Sequence, residues 1–136
     1  MKGIFLPLLS LLIILTTANC KKDSGGTNNI TDTPSGINMT FPVPGLIYIN
    51  GGLLRVEGDM TDLNALATAR VEIKNKTTGA VLFQQSDPTT NVTFFRFMWN
   101  WTVTGMSAVT PATVKVTAVD KLSHQVSREV DVMLSN

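Results

Sequence analysis

The chain has 136 residues, with 11 Lys and Arg against 10 Asp and Glu, one His and one Cys. A formal net charge of +1 gives no field to gather nucleic acid or an anionic surface. One His and one Cys cannot assemble a zinc site with soft ligands, and a lone thiol closes no disulfide.

The chain opens as an export signal. Lys2 supplies a short positive start, and residues 4–15 form an apolar run broken by Pro7 and Ser10. About twelve apolar-rich residues is the length of a signal h-region, whereas a spanning helix needs about 20. Thr16, Thr17, Ala18, Asn19 and Cys20 follow. Small and polar residues ending on a cysteine resemble the lipobox of bacterial lipoprotein signals, which prefers Leu at the position of Thr17 and Gly or Ala at that of Asn19. The resemblance implies cleavage before Cys20, acylation of that cysteine (diacyl, usually gaining a third chain) and attachment to a lipid membrane. Two or more acyl chains anchor stably where one holds only marginally. Acylation also accounts for a thiol that an exported protein would otherwise leave free to cross-link.

Residues 1–19 are therefore expected to be removed, and 20–36 to form the lipidated cysteine and a linker. The segment KKDSGGTNNITDTPSG offers almost nothing to bury, so its composition predicts a tether of about 20–25 Å mean reach. Lys21, Lys22 and Asp23 resemble the charged stretch that follows the cysteine in Bacteroidota-type surface lipoproteins. The implied place is the cell envelope, at the outer membrane, facing either outward or into the periplasm.

From residue 37 the hydrophobic period becomes two. Leu54 and Val56 alternate with Arg55 and Glu57; Ala69, Val71 and Ile73 with Arg70, Glu72 and Lys74; Val114, Val116 and Ala118 with Lys115 and Thr117. Val126, Val130, Val132 and Leu134 share parity against Ser127, Glu129 and Asp131. Alternation of this kind marks half-buried strands. Gly-, Asn-, Asp- and Pro-bearing turns separate them. The pattern predicts an all-β, antiparallel sandwich over 37–136, with about seven strands near 37–41, 46–57 (with a kink at 50–52), 68–75, 79–85, 91–104, 112–120 and 124–134. Residues 61–67, with Leu63 and Leu66 at helical spacing, predict one helical turn capped by Asp59 or Thr61.

Val114-Lys115-Val116-Thr117-Ala118-Val119-Asp120, turning back into the strand at 126–134, resembles the last two strands of bacterial Ig-like and cadherin-like domains. Gly58-Asp59-Met60-Thr61-Asp62 with Val71-Glu72-Ile73 is similar to their G-x-x-x-D loop and third strand. With the lipoprotein head, the whole resembles small Bacteroidota lipoproteins that carry one immunoglobulin-like domain. That resemblance implies a fold, not an activity.

Catalytic groups are scarce. His124 is the only histidine and falls at an expected hairpin tip, where its ring should project into water while Asp120 bonds the turn backbone. The chain lacks a Gly-x-Ser-x-Gly elbow and a phosphate-binding glycine loop, so a non-enzymatic role is expected. No organic cofactor is indicated. Calcium is the one metal with candidate ligands: Glu57, Asp59, Asp62 and Asp120 are hard oxygen donors of the kind cadherin-like domains place at loop ends, against the plainer role of capping turns. Along 91–104, Phe95, Phe97, Trp99 and Trp101 share one parity, with Phe94, Arg96, Met98 and Asn100 on the other. Such a face is either the sandwich core or, if Trp99 and Trp101 emerge beside Tyr48, a stacking platform for a sugar. The sequence thus points to a lipid-anchored binding or scaffolding module with a protein or glycan partner, the alternative being an accessory glycan-binding lipoprotein. Asn-x-Thr triplets at Asn29, Asn38, Asn75, Asn91 and Asn100 are by-products of Asn- and Thr-rich strands and carry no assigned role.

Overall fold

The computed structural model describes residues 36–136; the signal segment, Cys20 and nearly all of the linker lie outside the described residues. Six strands make up this part: β1 (Gly36–Phe41), β2 (Ile47–Ile49), β3 (Leu53–Asn75), β4 (Val81–Thr102), β5 (Thr110–Asp120) and β6 (Gln125–Ser135). No described residue is helical.

β3 and β4 are long enough to serve two layers. The first half of β3 pairs antiparallel with β1 and with the second half of β4, from Leu53↔Thr102 to Thr61↔Phe94. Its second half pairs with the first half of β4 and with β5, from Thr68↔Pro88 to Lys74↔Val81 and Asn75↔Ala112. β6 then adds antiparallel to β5, and β2 adds parallel to β6 as the outer edge. One layer is therefore β1–β3–β4, and the other β4–β3–β5–β6–β2. The β3–β4 ribbon bends from one to the other through two bulges, at 62–65 on β3 and 89–91 on β4, on either side of the Leu66↔Val92 pair.

The core follows the period-two pattern. Leu54, Val56 and Met60 point inward from one layer, Ala69, Val71, Ile73, Val114, Val116, Ala118, Val132 and Leu134 from the other, all at most 2% exposed. Phe97 and Trp99 fill the space between them, their rings stacked at a centroid separation of 4.9 Å. Each large ring removes some 150–250 Å² from water, so this pair dominates the hydrophobic term. The indole N–H of Trp99 donates to Asp87 Oδ2 at 2.7 Å, satisfying a donor that burial would otherwise strand. Gly58 leaves room for this packing: a Cβ there would lie 2.1 Å from the Asn38 carbonyl oxygen and 2.7 Å from the Phe97 ring.

Two sequence expectations need correction. The helical turn at 61–67 does not form. Asp62 Oδ1 takes the Asn64 backbone N–H at 2.6 Å and Ala65 turns to φ +71°, a short side-chain turn that makes a bulge inside β3. Leu63 is 76% exposed and Leu66 fully buried, so their spacing never shares a face. The seven separate strands become six, because the chain stays extended through both corners, and 46–57 divides at a turn around Gly51 into β2 and the start of β3.

Candidate functional site

Three chain segments meet at one end of the sandwich: the β3 bulge at 62–65, the β4 bulge at 89–91 and the β5–β6 hairpin at 121–124. Leu66 pairs with both Val92 and Asp120, and the Lys121 N–H donates to the Ala65 carbonyl at 3.1 Å. All four non-glycine residues with positive φ among the described residues stand here: Ala65 (71°), Thr90 (50°), Asn91 (64°) and Ser123 (69°). Left-handed backbone costs a side-chain-bearing residue about 1–2 kcal/mol, so surrounding contacts must hold each in place. The same end holds two deeply buried polar atoms without a partner among the described residues, Asp62 Oδ2 and Thr89 Oγ1.

Asp120 organises the hairpin. Its side chain is buried, and Oδ1 accepts the backbone N–H of Leu122 at 2.9 Å and of His124 at 2.7 Å. Its Oδ2 lies 2.9 Å from His124 Nδ1. Burial pushes the carboxyl upward, but the backbone and ring hydrogen bonds of His124, its charge and the Leu122 N–H outweigh burial and hold it below the ordinary value. The sequence expectation that Asp120 would serve only the turn backbone is therefore too narrow: the same carboxylate also orients the imidazole. The ring still stands at a hairpin tip with its side chain 45% exposed, open to water.

The four calcium candidates are not brought to one place. Among the described residues, no three His, Cys, Asp or Glu side chains group to hold a metal ion. Glu57 and Asp59 alternate with the inward residues of β3 and so face outward, where Glu57 pairs with Arg55 and Asp59 accepts from Asn38 Nδ2 at 3.2 Å. Asp62 and Asp120, each 2% exposed, turn inward instead.

The aromatic candidates are all buried or half-buried. Trp99 is 2% exposed and presents no face to a sugar. Trp101 is half-buried and stacks on Phe83 at 6.0 Å. Tyr48 sits half-buried on β2, the outer strand of the larger layer, and burial raises its phenol. Parity identified the inward face correctly, with Phe97 and Trp99 buried.

A polar surface went unremarked in the sequence. The outer face of the larger layer carries a ladder of ion pairs: Glu72 with Arg70 at 3.1 Å and Lys74 at 2.8 Å, Lys115 with Glu129 at 3.2 Å, and Lys76 with Asp131. The hydrogen bond from Lys74 holds the Glu72 carboxyl below its ordinary value. A shallow depression of about 460 Å³ lies on this face, lined among others by Thr68, Arg70, Glu72, Lys115 and Thr117. Its sequence signal was the polar side of the alternation: Arg70, Glu72 and Lys74, Lys115 and Thr117, and Glu129 and Asp131.

No family model and no curated protein matches the chain. Solved structures do resemble it. One, from Clostridium thermocellum, comprises the fibronectin(III)-like modules of CbhA, with 13% identity, a TM-score of 0.51, 76% of this chain covered and 46% of that one. The chain thus spans under half the length of that structure. Murine CRIg matches at 11% identity and a TM-score of 0.43, over 74% of this chain and 97% of that one. The CARDB domain of PF1109 from Pyrococcus furiosus, solved with two metal ions, matches at 15% identity and a TM-score of 0.37, over 74% and 91%. The described domain has an immunoglobulin-like, fibronectin III-like β-sandwich fold.

Proposed function

We propose that this protein is a lipid-anchored, non-catalytic module of the bacterial cell envelope, held at the outer membrane through acylated Cys20 and serving to bind or space a partner. The observation that carries the reading is the position of the sole thiol. Cys20 ends an export-like signal, and the domain that follows has a continuous hydrophobic core that calls on no cysteine. The chemistry within the fold supports the non-catalytic half. The single imidazole is oriented by Asp120 but is exposed on a hairpin tip, whereas catalysis needs nucleophile, base and orienter converging in a water-excluding pocket.

Two measurements test the reading. Radioactive palmitate should label the wild type and not Cys20→Ala; an unlabelled wild type, soluble after export, would overturn the anchor. His124→Ala should match wild type on ester, peptide and glycoside substrates, and turnover lost in the variant would make the protein an enzyme.

A further inference from the structure

The end of the sandwich that holds the strained corners also exposes apolar side chains at its tips. Leu63, on the β3 bulge, is 76% exposed, the largest value among the exposed large hydrophobic residues. Leu122, on the neighbouring hairpin, is 54% exposed, and the Lys121 to Ala65 hydrogen bond ties the two tips together. Val92 (38%) and Phe94 (53%) continue the apolar surface where β4 leaves its bulge. The carboxylates of this end face the other way: Asp62 and Asp120 are each 2% exposed, while Lys121 is exposed beside Leu122. Among the described residues, the tips at 63 and 121–124 carry no exposed carboxylate to be repelled by phosphate.

The chain enters the domain at this same end, because Gly36 pairs with Thr61 at the foot of the corner. Cys20 lies sixteen positions upstream of Gly36. A polar stretch of that length spans about 20–25 Å on average. The opposite end lies farther off, since β3 runs from Thr61 back to Leu53, roughly 25–30 Å at 3.3 Å per residue. A bilayer holding Cys20 is therefore nearer to Leu63 and Leu122 than to any other exposed apolar tip.

On these grounds we infer that the Leu63 and Leu122 tips rest in the interface of the lipid bilayer to which Cys20 is anchored, so that the domain stands on the membrane by its corner end. The inference rests on the lipid-anchor reading. Two leucine tips bind a bilayer weakly from solution, but a short tether turns the encounter into an intramolecular one at an effective concentration in the millimolar range. With the net charge near zero, apolar contact carries the docking and added salt does not release it. The outward end and the ion-paired face are then left free for a partner.

The test uses the full lipidated protein in vesicles of phosphatidylethanolamine with a minor share of phosphatidylglycerol. Leu63→Cys, Leu122→Cys and, as a control at the far end, Leu53→Cys (57% exposed in the wild type) are each labelled with an environment-sensitive dye. The labels at 63 and 122 are expected to shift to the blue and to be quenched by nitroxide lipids, with the label at 53 unchanged. Equal, water-like emission from all three sites would overturn the docking while leaving the anchor intact. A blue shift at 63 and 122 that depends on protein concentration and persists in lipid-free detergent would assign the surface to a second copy of the chain and overturn it too. Wild-type protein that itself takes the thiol dye would have a free Cys20, which removes the anchor and the docking together.

Discussion

The two ends of this sandwich turn the chain by different means. At the far end, away from Gly36, the turns with positive φ are made by Gly45, Gly51, Gly79 and Gly105, and at all four a Cβ would meet nothing within 4 Å. Asn75 closes the turn at 75–79 by accepting the N–H groups of Thr77 and Thr78. At the corner end, Ala65, Thr90, Asn91 and Ser123 adopt the same left-handed backbone with side chains in place. Local chemistry suffices for the first set. The second set is held by tertiary contacts: strand pairs at Leu66, the Lys121 to Ala65 bond and the buried Asp120. The difference teaches where this molecule stores strain, and it is the end from which the chain leaves toward Cys20.

Whether the two ends share one core can be tested by the most disruptive change. Trp99→Ala removes the largest buried ring and strands Asp87, and it should cost about 3–5 kcal/mol. Hydrogen exchange should then quicken at both ends together; a loss confined to one end would show that they do not unfold as a unit. Gly58→Ala strikes the β1–β3–β4 layer midway along and the Phe97 ring packed against it. Its methyl would meet a backbone oxygen that cannot move aside, so a loss of about 1–3 kcal/mol in chemical denaturation is expected.

The comparison sharpens with two substitutions of opposite sense. Gly79→Ala should lower stability by about 1 kcal/mol, from backbone strain alone. Ala65→Gly should raise it by about 0.5–1 kcal/mol by releasing strain at the corner. Melting midpoints that move in the same direction for both would contradict the contrast between the ends.

The smallest effect is electrostatic. Asp120 at the corner end and Asp131 on the outer face of the larger layer both titrate below the ordinary carboxylate value. For Asp131 the cause is the Lys76 hydrogen bond, then that of Thr113. A depressed folded-state pKa means that each contributes stability above the unfolded value of about 3.8, lost as pH falls below it through the folded pKa. The Lys76–Asp131 pair is more than half exposed and should be screened by salt, whereas buried Asp120 should not. Carboxyl carbon titration by NMR at low and high salt should move the Asp131 midpoint upward and leave that of Asp120 in place.

Much of the architecture was legible from residue order. Alternation put Val71, Ile73, Val116 and Val132 in the core, and all are at most 2% exposed. Parity along 91–104 turned Phe97 and Trp99 inward, and turn residues marked the hairpin at Asp120. The candidate site was less legible. Leu63 and Leu66 suggested a helical turn because spacing alone does not distinguish a helix from a bulge that reverses one side chain. Glu57, Asp59, Asp62 and Asp120 were grouped as donors although period two sends the first two outward and Asp62, in phase with Val56 and Met60, inward.

What the sequence determined by itself were the class of element, the side of each strand that is buried and the glycine-bearing turns, because these depend on neighbours one to four residues away. The tertiary structure decided which strands lie side by side, and with them everything that needs residues far apart. That includes the carboxylate that orients His124 and the meeting of Leu63 and Leu122 at the end where Gly36 enters. Contacts of this kind depend on how the β3–β4 ribbon folds over between two layers. On β3 the period stays two while its phase changes, from Leu54, Val56 and Met60 to Ala69, Val71 and Ile73, and a change of phase does not say what the bend brings together.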